Sequence, residues 1–188
     1  MQYLFLISLS STAQDVIEWS PDYKLKLSDF QSKSTQIGNV NHYSILPASH
    51  MDFSFYMSSY EFMLTKNFNS KVSTTFTQSA SVLIAPDNEL AQDLLKFAQL
   101  NFDLTELYAR KYRKKLFESK GVLSNVNFFQ EAYKGIEQEY NEKVAELGKL
   151  TNVGQANIRI EEAQIQVLKE IDELFEFCKS CKPKRKKK

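Results

Sequence analysis

Apolar residues recur at every second position through much of the first half of the chain and at every third or fourth position through the second half. Tyr43 and Ile45 alternate with polar neighbours, as do Phe53 and Phe55, then Tyr60, Phe62 and Leu64, then Val72, Thr74 and Phe76. A period of two sends successive side chains to opposite faces of a strand. Lys66-Asn67 and Asn69-Ser70 separate the runs, so the stretch from about Val40 to Ile84 predicts three or four antiparallel strands with one buried face. Ahead of it, Asp15 to Phe30 reads as a short strand, a turn at Ser20-Pro21-Asp22, and a second apolar segment ending in Ser28-Asp29-Phe30.

At Pro86-Asp87-Asn88-Glu89 the period changes to about 3.6. Asp87 or Asn88 can cap the free N–H groups of a helix start, and acidic residues suit its positive end. This helix is predicted to run to about Phe117, with Gly121 as a break. A second helix carries Phe129, Tyr133, Ile136, Tyr140, Val144 and Leu147 on one side, and a third carries Ile160, Ala163, Val167, Ile171, Leu174 and Cys178. The turn at Thr151-Asn152-Val153-Gly154 between them predicts an antiparallel helical hairpin. The expected class is therefore α+β, with an antiparallel β-rich N-terminal half followed by a long helix and the hairpin.

At 188 residues, with 43% hydrophobic and 25% charged content, the chain fits one globular domain. The formal net charge of +1 conceals an uneven distribution, because Lys182, Lys184, Arg185, Lys186, Lys187 and Lys188 crowd the last seven positions. Setting these aside from the 24 Lys and Arg leaves fewer basic residues than the 23 Asp and Glu, so the body is acidic and the basic character belongs to a tail at 182–188. The tail reads as a solvated, disordered end, with binding to an anionic lipid or polymer as the alternative. It has no aromatic residue to stack on bases, and no nucleic-acid partner is expected.

Tyr3 to Leu9 is an apolar stretch, and Ser11-x-Ala13 follows with the small-x-small spacing a signal peptidase accepts. It predicts a leader at 1–13, a mature domain at 14–181 and an exported protein, periplasmic or secreted; the same residues also fit a buried first strand. Nothing later approaches the roughly 20 apolar residues of a membrane span. Cys178 and Cys181, the only cysteines, lie near a predicted helix C-terminus with no second pair or nearby His to complete a zinc site. A disulfide and a redox-active dithiol both remain open for them.

Two segments stand out together: Trp19-Ser20 followed by Leu27-Ser28-Asp29-Phe30-Gln31, and the run from Leu94 to Lys111 that contains Phe97-Ala98-Gln99-Leu100-Asn101-Phe102-Asp103 and Glu106-Leu107-Tyr108-Ala109-Arg110. They resemble the two signatures of an uncharacterised bacterial family of predicted secreted zinc-dependent proteases, W-S-x(n)-L-x-W-x-D-F-Q and L-L-x-H-E-Q-x-H-F-D-I-x-E-L-Y-A-R. Phe76 to Leu83 is similar to that family's aromatic-x-Pro-x-x-Ser-Trp-Val stretch, without its proline or tryptophan. Thr151-x-x-Gly154 resembles its Thr-x-His-Gly turn, with Val153 at the histidine position.

The resemblance implies a zincin-like helix, in which two histidines one turn apart hold zinc and the glutamate between them takes a proton from the bound water. In this sequence Phe97 and Asn101 stand at the histidine positions and Ala98 at the glutamate. A phenyl ring has no lone pair to donate, a methyl group is no base, and an amide oxygen is a poor zinc ligand. The expectation is a catalytically inactive relative, with no metal and no cofactor, that binds or scaffolds a peptide or protein. The alternative is an active hydrolase of the same family with a relocated site, drawing on Asp103, Glu106 or Tyr108 as residues of the old cleft. Phe102, Leu104, Leu107 and Tyr108 read as core or pocket wall, and Asp103, Glu106 and Arg110 as an ordinary paired surface at spacings of three, four and seven. His42 and His50 fit no ligand position, and neither a phosphate-binding glycine loop nor a G-x-S-x-G elbow occurs.

Overall fold

In the computed structural model, which describes residues 15–121, 123–125 and 127–184, the period-two stretches form two three-stranded sheets. The expected leader at 1–13 and the tail from 185 onward lie outside the described residues. The first sheet has the order β1 (Val16–Glu18), β5 (Val72–Thr77), β4 (Ser49–Phe53) and is antiparallel throughout. Val72, Thr74 and Phe76 of β5 are buried while Ser73, Thr75 and Thr77 are half-exposed, as the alternation predicts. The second sheet has the order β2 (Gln36–Ile37), β6 (Val82–Ala85), β3 (Ser44–Leu46).

Two local expectations are corrected. Tyr60, Phe62 and Leu64 do not form a strand but lie in a short helix, α1 (Ser59–Leu64). The Ser58 hydroxyl caps it by accepting the Glu61 backbone N–H at 3.1 Å, and only Phe62 is buried, so the apolar alternation has no sheet to pack on. The β half is also not wholly antiparallel, because β2 runs parallel to β6. The chain reverses just past β2 through Gly38 (φ 87°) and Asn39 (φ 55°), so strands on opposite edges of β6 point opposite ways and one must be parallel to it.

Helix α2 (Asn88–Ser119) begins where predicted, with Asp87 accepting the Leu90 N–H at 2.9 Å. Helices α3 (Phe128–Leu150) and α4 (Asn157–Glu173) are antiparallel to each other, yet each packs more extensively on α2 than on its partner. Their registers show this: the Tyr112 hydroxyl donates to the Phe129 carbonyl and Thr105 meets Tyr140 across antiparallel α2 and α3. Lys96 meets Asn157, Asp103 meets Gln164 and Arg110 meets Ile171 at one constant offset along parallel α2 and α4.

α2 therefore stands between two apolar cores. Ala91, Leu94, Ala98 and Phe102 face Leu25, Phe30, Phe76 and Leu83 on the sheet side. Phe97, Leu100, Leu104, Leu107 and Tyr112 pack with Phe129, Ile136, Ile160 and Val167 on the hairpin side. Every residue from Phe102 to Arg110 is buried, the pattern of a helix surrounded by its own protein. No helix among the described residues is long and apolar enough to cross a membrane.

Candidate functional site

The three positions where the resemblance would place metal chemistry sit inside this packing. Ala98 is fully buried and Phe97 is 8% exposed, while Asn101 is half-buried. The turn joining α3 to α4 closes over Phe97 and its neighbour Leu94. A Cβ at Gly154 (φ 96°) would stand 3.0 Å from Leu94 Cδ2 and 3.3 Å from Phe97 Cβ, so backbone lies directly on this face of α2. Val153 beside it holds φ 48°, an unfavourable conformation for a β-branched residue. Hydrogen bonds impose it: the Val153 N–H donates to the Gly148 carbonyl at 2.9 Å, and the Thr151 hydroxyl and Ala156 N–H anchor the turn on either side. Among the described residues no group of three or more His, Cys, Asp or Glu side chains could hold a metal ion.

One turn further along α2, the acidic residues read from sequence as a paired surface are buried, which corrects that expectation. Asp103 accepts N–H bonds from Trp19 Nε1 at 2.6 Å, Gln99 Nε2 at 3.0 Å and Gln164 Nε2 at 2.7 Å. Glu106 accepts from the Thr74 hydroxyl at 2.8 Å, Arg110 Nε at 2.9 Å, and Arg113 Nη1 and Nη2 at 2.9 and 3.4 Å. Arg113 also donates to the carbonyls of Val72 and Phe177, and Arg110 Nη1 to that of Ile171. The network thus ties α2 to β5, to α4 and to the 3-10 turn at Phe175–Phe177. It lies within a surrounded helix, where a charge must be paired to be tolerated.

Tyr108 lies on another face. Its ring meets Tyr140 edge-on at 5.5 Å with the Lys111 ammonium 4.4 Å from its centroid, and burial, then the nearby glutamates of α3 and α4, pushes its hydroxyl up to about 12. His42 is exposed, and His50 is an exposed β4 residue whose Nε2 contacts the Thr77 hydroxyl at 3.0 Å.

The Glu106 network forms the floor of a cleft of about 740 Å³ with walls of Trp19, Pro21, Phe175 and the Cys178–Cys181 disulfide. The Arg110 guanidinium lies 5.5 Å from the Trp19 ring, and Lys179 pairs with Glu18 at the rim at 2.5 Å. The disulfide loop is held by its Cys181 carbonyl, which accepts from Asn67 and Asn69. A second cleft of about 440 Å³, mainly apolar, lies between α2 and α4 at Gln99, Ile160, Gln164 and Leu168. Sequence reasoning did not single out Thr74 or Arg113, or the contact of Trp19 with Asp103. The i, i+7 spacing of Glu106 and Arg113 on one helix was the available signal for that pair. The chain matches no protein-family model, no curated protein and no solved structure.

Proposed function

We propose that the chain is an exported, catalytically silent relative of the secreted zinc-protease-like family that serves as a binding or scaffolding protein for a peptide or protein. The observation that carries this reading is the packing of Phe97 and Ala98: where the resembled pattern has an imidazole and a carboxylate, a phenyl ring lies under the Gly154 turn in the hairpin-side core and a methyl group is fully buried in the sheet-side core. Two further contacts support the kinship. Trp19 of the first signature-like segment bonds to Asp103 of the second across 84 positions, and the Thr151–Gly154 turn lies against the helix at Phe97. A relocated acid or base at Asp103 or Glu106 is disfavoured because the oxygens of both carboxylates already accept strong N–H or O–H donors. The test is elemental analysis of protein purified without chelators, with a peptidase assay in added zinc. The expected result is substoichiometric transition metal and no turnover. Stoichiometric zinc that is lost on Asn101→Ala would overturn the reading.

A further inference from the structure

We infer that the cleft under Trp19 receives a carboxylate carried by a peptide, with Arg110 as the residue that takes it; this rests on the binding role proposed above. An unused donor decides the kind of ligand. The cleft is lined by Arg110, Arg113 and Lys179 against Glu18 and Glu106. Glu18 is matched by Lys179 and Glu106 is shared between two arginines, while Asp103 behind the Trp19 ring is held by neutral donors alone, so the buried charges balance and an unused donor, rather than a net charge, is what the cleft offers a ligand. A guanidinium N–H in a partly dehydrated cleft favours an anionic acceptor over a neutral one, because a charge-assisted hydrogen bond is the stronger.

Hydrogen bonding decides which arginine acts. Arg113 is saturated, with Nε, Nη1 and Nη2 all donating to Glu106 or to the carbonyls of Val72 and Phe177. Arg110 commits only Nε and Nη1. Its Nη2 makes no hydrogen bond among the described residues and is not sealed from solvent, while the residue lines the cleft. Glu106, the Ile171 carbonyl and the Trp19 ring hold the guanidinium in place, so its remaining N–H groups are ordered before any ligand arrives. A carboxylate oxygen is the strong acceptor that the Nη2 N–H groups can take. Trp19, Pro21, Phe175 and the disulfide then offer apolar surface to the side chain beside it, in a volume within the range of about 300–1,000 Å³ typical of small-ligand pockets.

Trp19 is the only tryptophan, so its fluorescence reports occupancy of this cleft directly. The full chain is titrated with N-acetyl-Ala-Ala-Phe bearing a free C-terminal carboxylate, with its C-terminal amide, with the amide carrying Glu in place of Phe, and with inorganic phosphate. The expected result is a saturable change with the acid that is at least about tenfold weaker with the neutral amide, the factor one charge-assisted hydrogen bond contributes. Binding of the Glu amide as tight as that of the acid identifies an acidic side chain as the carboxylate source, and weaker binding identifies the chain terminus. Arg110→Lys keeps the charge and removes the ordered Nη2 donor, and is expected to lose at least about tenfold in affinity for the acid. If that variant does not fold, the comparison of acid with amide decides alone. Equal affinity for acid and neutral amide, phosphate binding as tight as the acid, an unaffected Arg110→Lys, or no saturable change overturns the inference. Zinc binding or turnover would instead remove the broader binding role, so the two failures are distinguishable.

Discussion

Replacing Glu106 with glutamine should be among the most damaging single-atom changes available in this protein. The carboxylate is 4% exposed at its side chain, and the two guanidinium groups it serves are 9% and 1% exposed. Glutamine preserves the shape but removes the charge, and its amide turns N–H groups toward guanidinium N–H groups. Arg110 and Arg113 then keep their charges in the interior with no counter-ion. Breaking a buried pair from one side costs about 3–5 kcal/mol, a large part of the roughly 5–15 kcal/mol that stabilises an ordinary domain. With a urea dependence of about 2 kcal/mol per molar, the unfolding midpoint should fall by about 1.5–2.5 M. Trp19 fluorescence and far-ultraviolet circular dichroism should report the same shift, because Trp19 contacts Arg110 and Asp103 while dichroism reports the helices. A loss below about 1 kcal/mol would refute the reasoning, since it would mean that water reaches the arginines as it does at a surface ion pair. A variant of unchanged stability that had lost a measurable turnover would return Glu106 to candidacy as an acid or base.

Ala98→Glu should destabilise the fold by about 3–5 kcal/mol, because a carboxylate would replace a fully buried methyl group in an apolar core; chemical denaturation measures it, and a stable variant that binds zinc would contradict the packing described. Gly154→Ala should lose about 1–3 kcal/mol in the same assay, from the left-handed φ of 96° and from crowding against Leu94 and Phe97, and a neutral result would show that the turn can lift off α2. Alkaline titration should reveal the tyrosines whose hydroxyls the fold perturbs. Burial, with hydrogen bonding and charge from Asp29, pushes Tyr23 up to about 12, and Tyr108 is held at about 12, both above the ordinary 10.0. The folded state therefore binds more protons than the unfolded one between those values, so their contribution is complete below pH 10 and is lost as pH rises toward 12. Tyrosinate absorbance should lag behind that of the urea-unfolded chain, and coincident curves would refute the burial of these rings.

The long helix was legible because Asp87 caps it and its apolar positions repeat over many turns; β5 was legible because its alternation is uninterrupted. α1 was not, since five residues with apolar side chains at every second position fit a strand or an amphipathic turn equally, and the Ser58 cap is a weaker signal than the alternation it overrides. The parallel placement of β2 depends on a reversal at Gly38-Asn39 and on a partner more than forty positions away, which local periodicity does not encode. At the candidate site, that Phe97, Ala98 and Asn101 offer no good zinc ligand or base is a matter of residue type and needed no coordinates. The burial of Asp103, Glu106 and Arg110 did. Charges spaced three, four and seven apart look the same on a solvated helix and on one enclosed by a sheet and two helices.

By itself, then, the sequence determined what each residue can do: which positions cap a helix, which alternate, and which side chains can donate a lone pair. Tertiary structure alone decided what those groups face. Packing around α2 turned an apparent surface of paired charges into a buried network, and left Arg110 Nη2 without a hydrogen-bond partner among the described residues, beside Trp19. The physical reason is that hydrogen-bonding capacity and charge are properties of a side chain, whereas the cost of leaving them unpaired depends on the water excluded by residues far away along the chain.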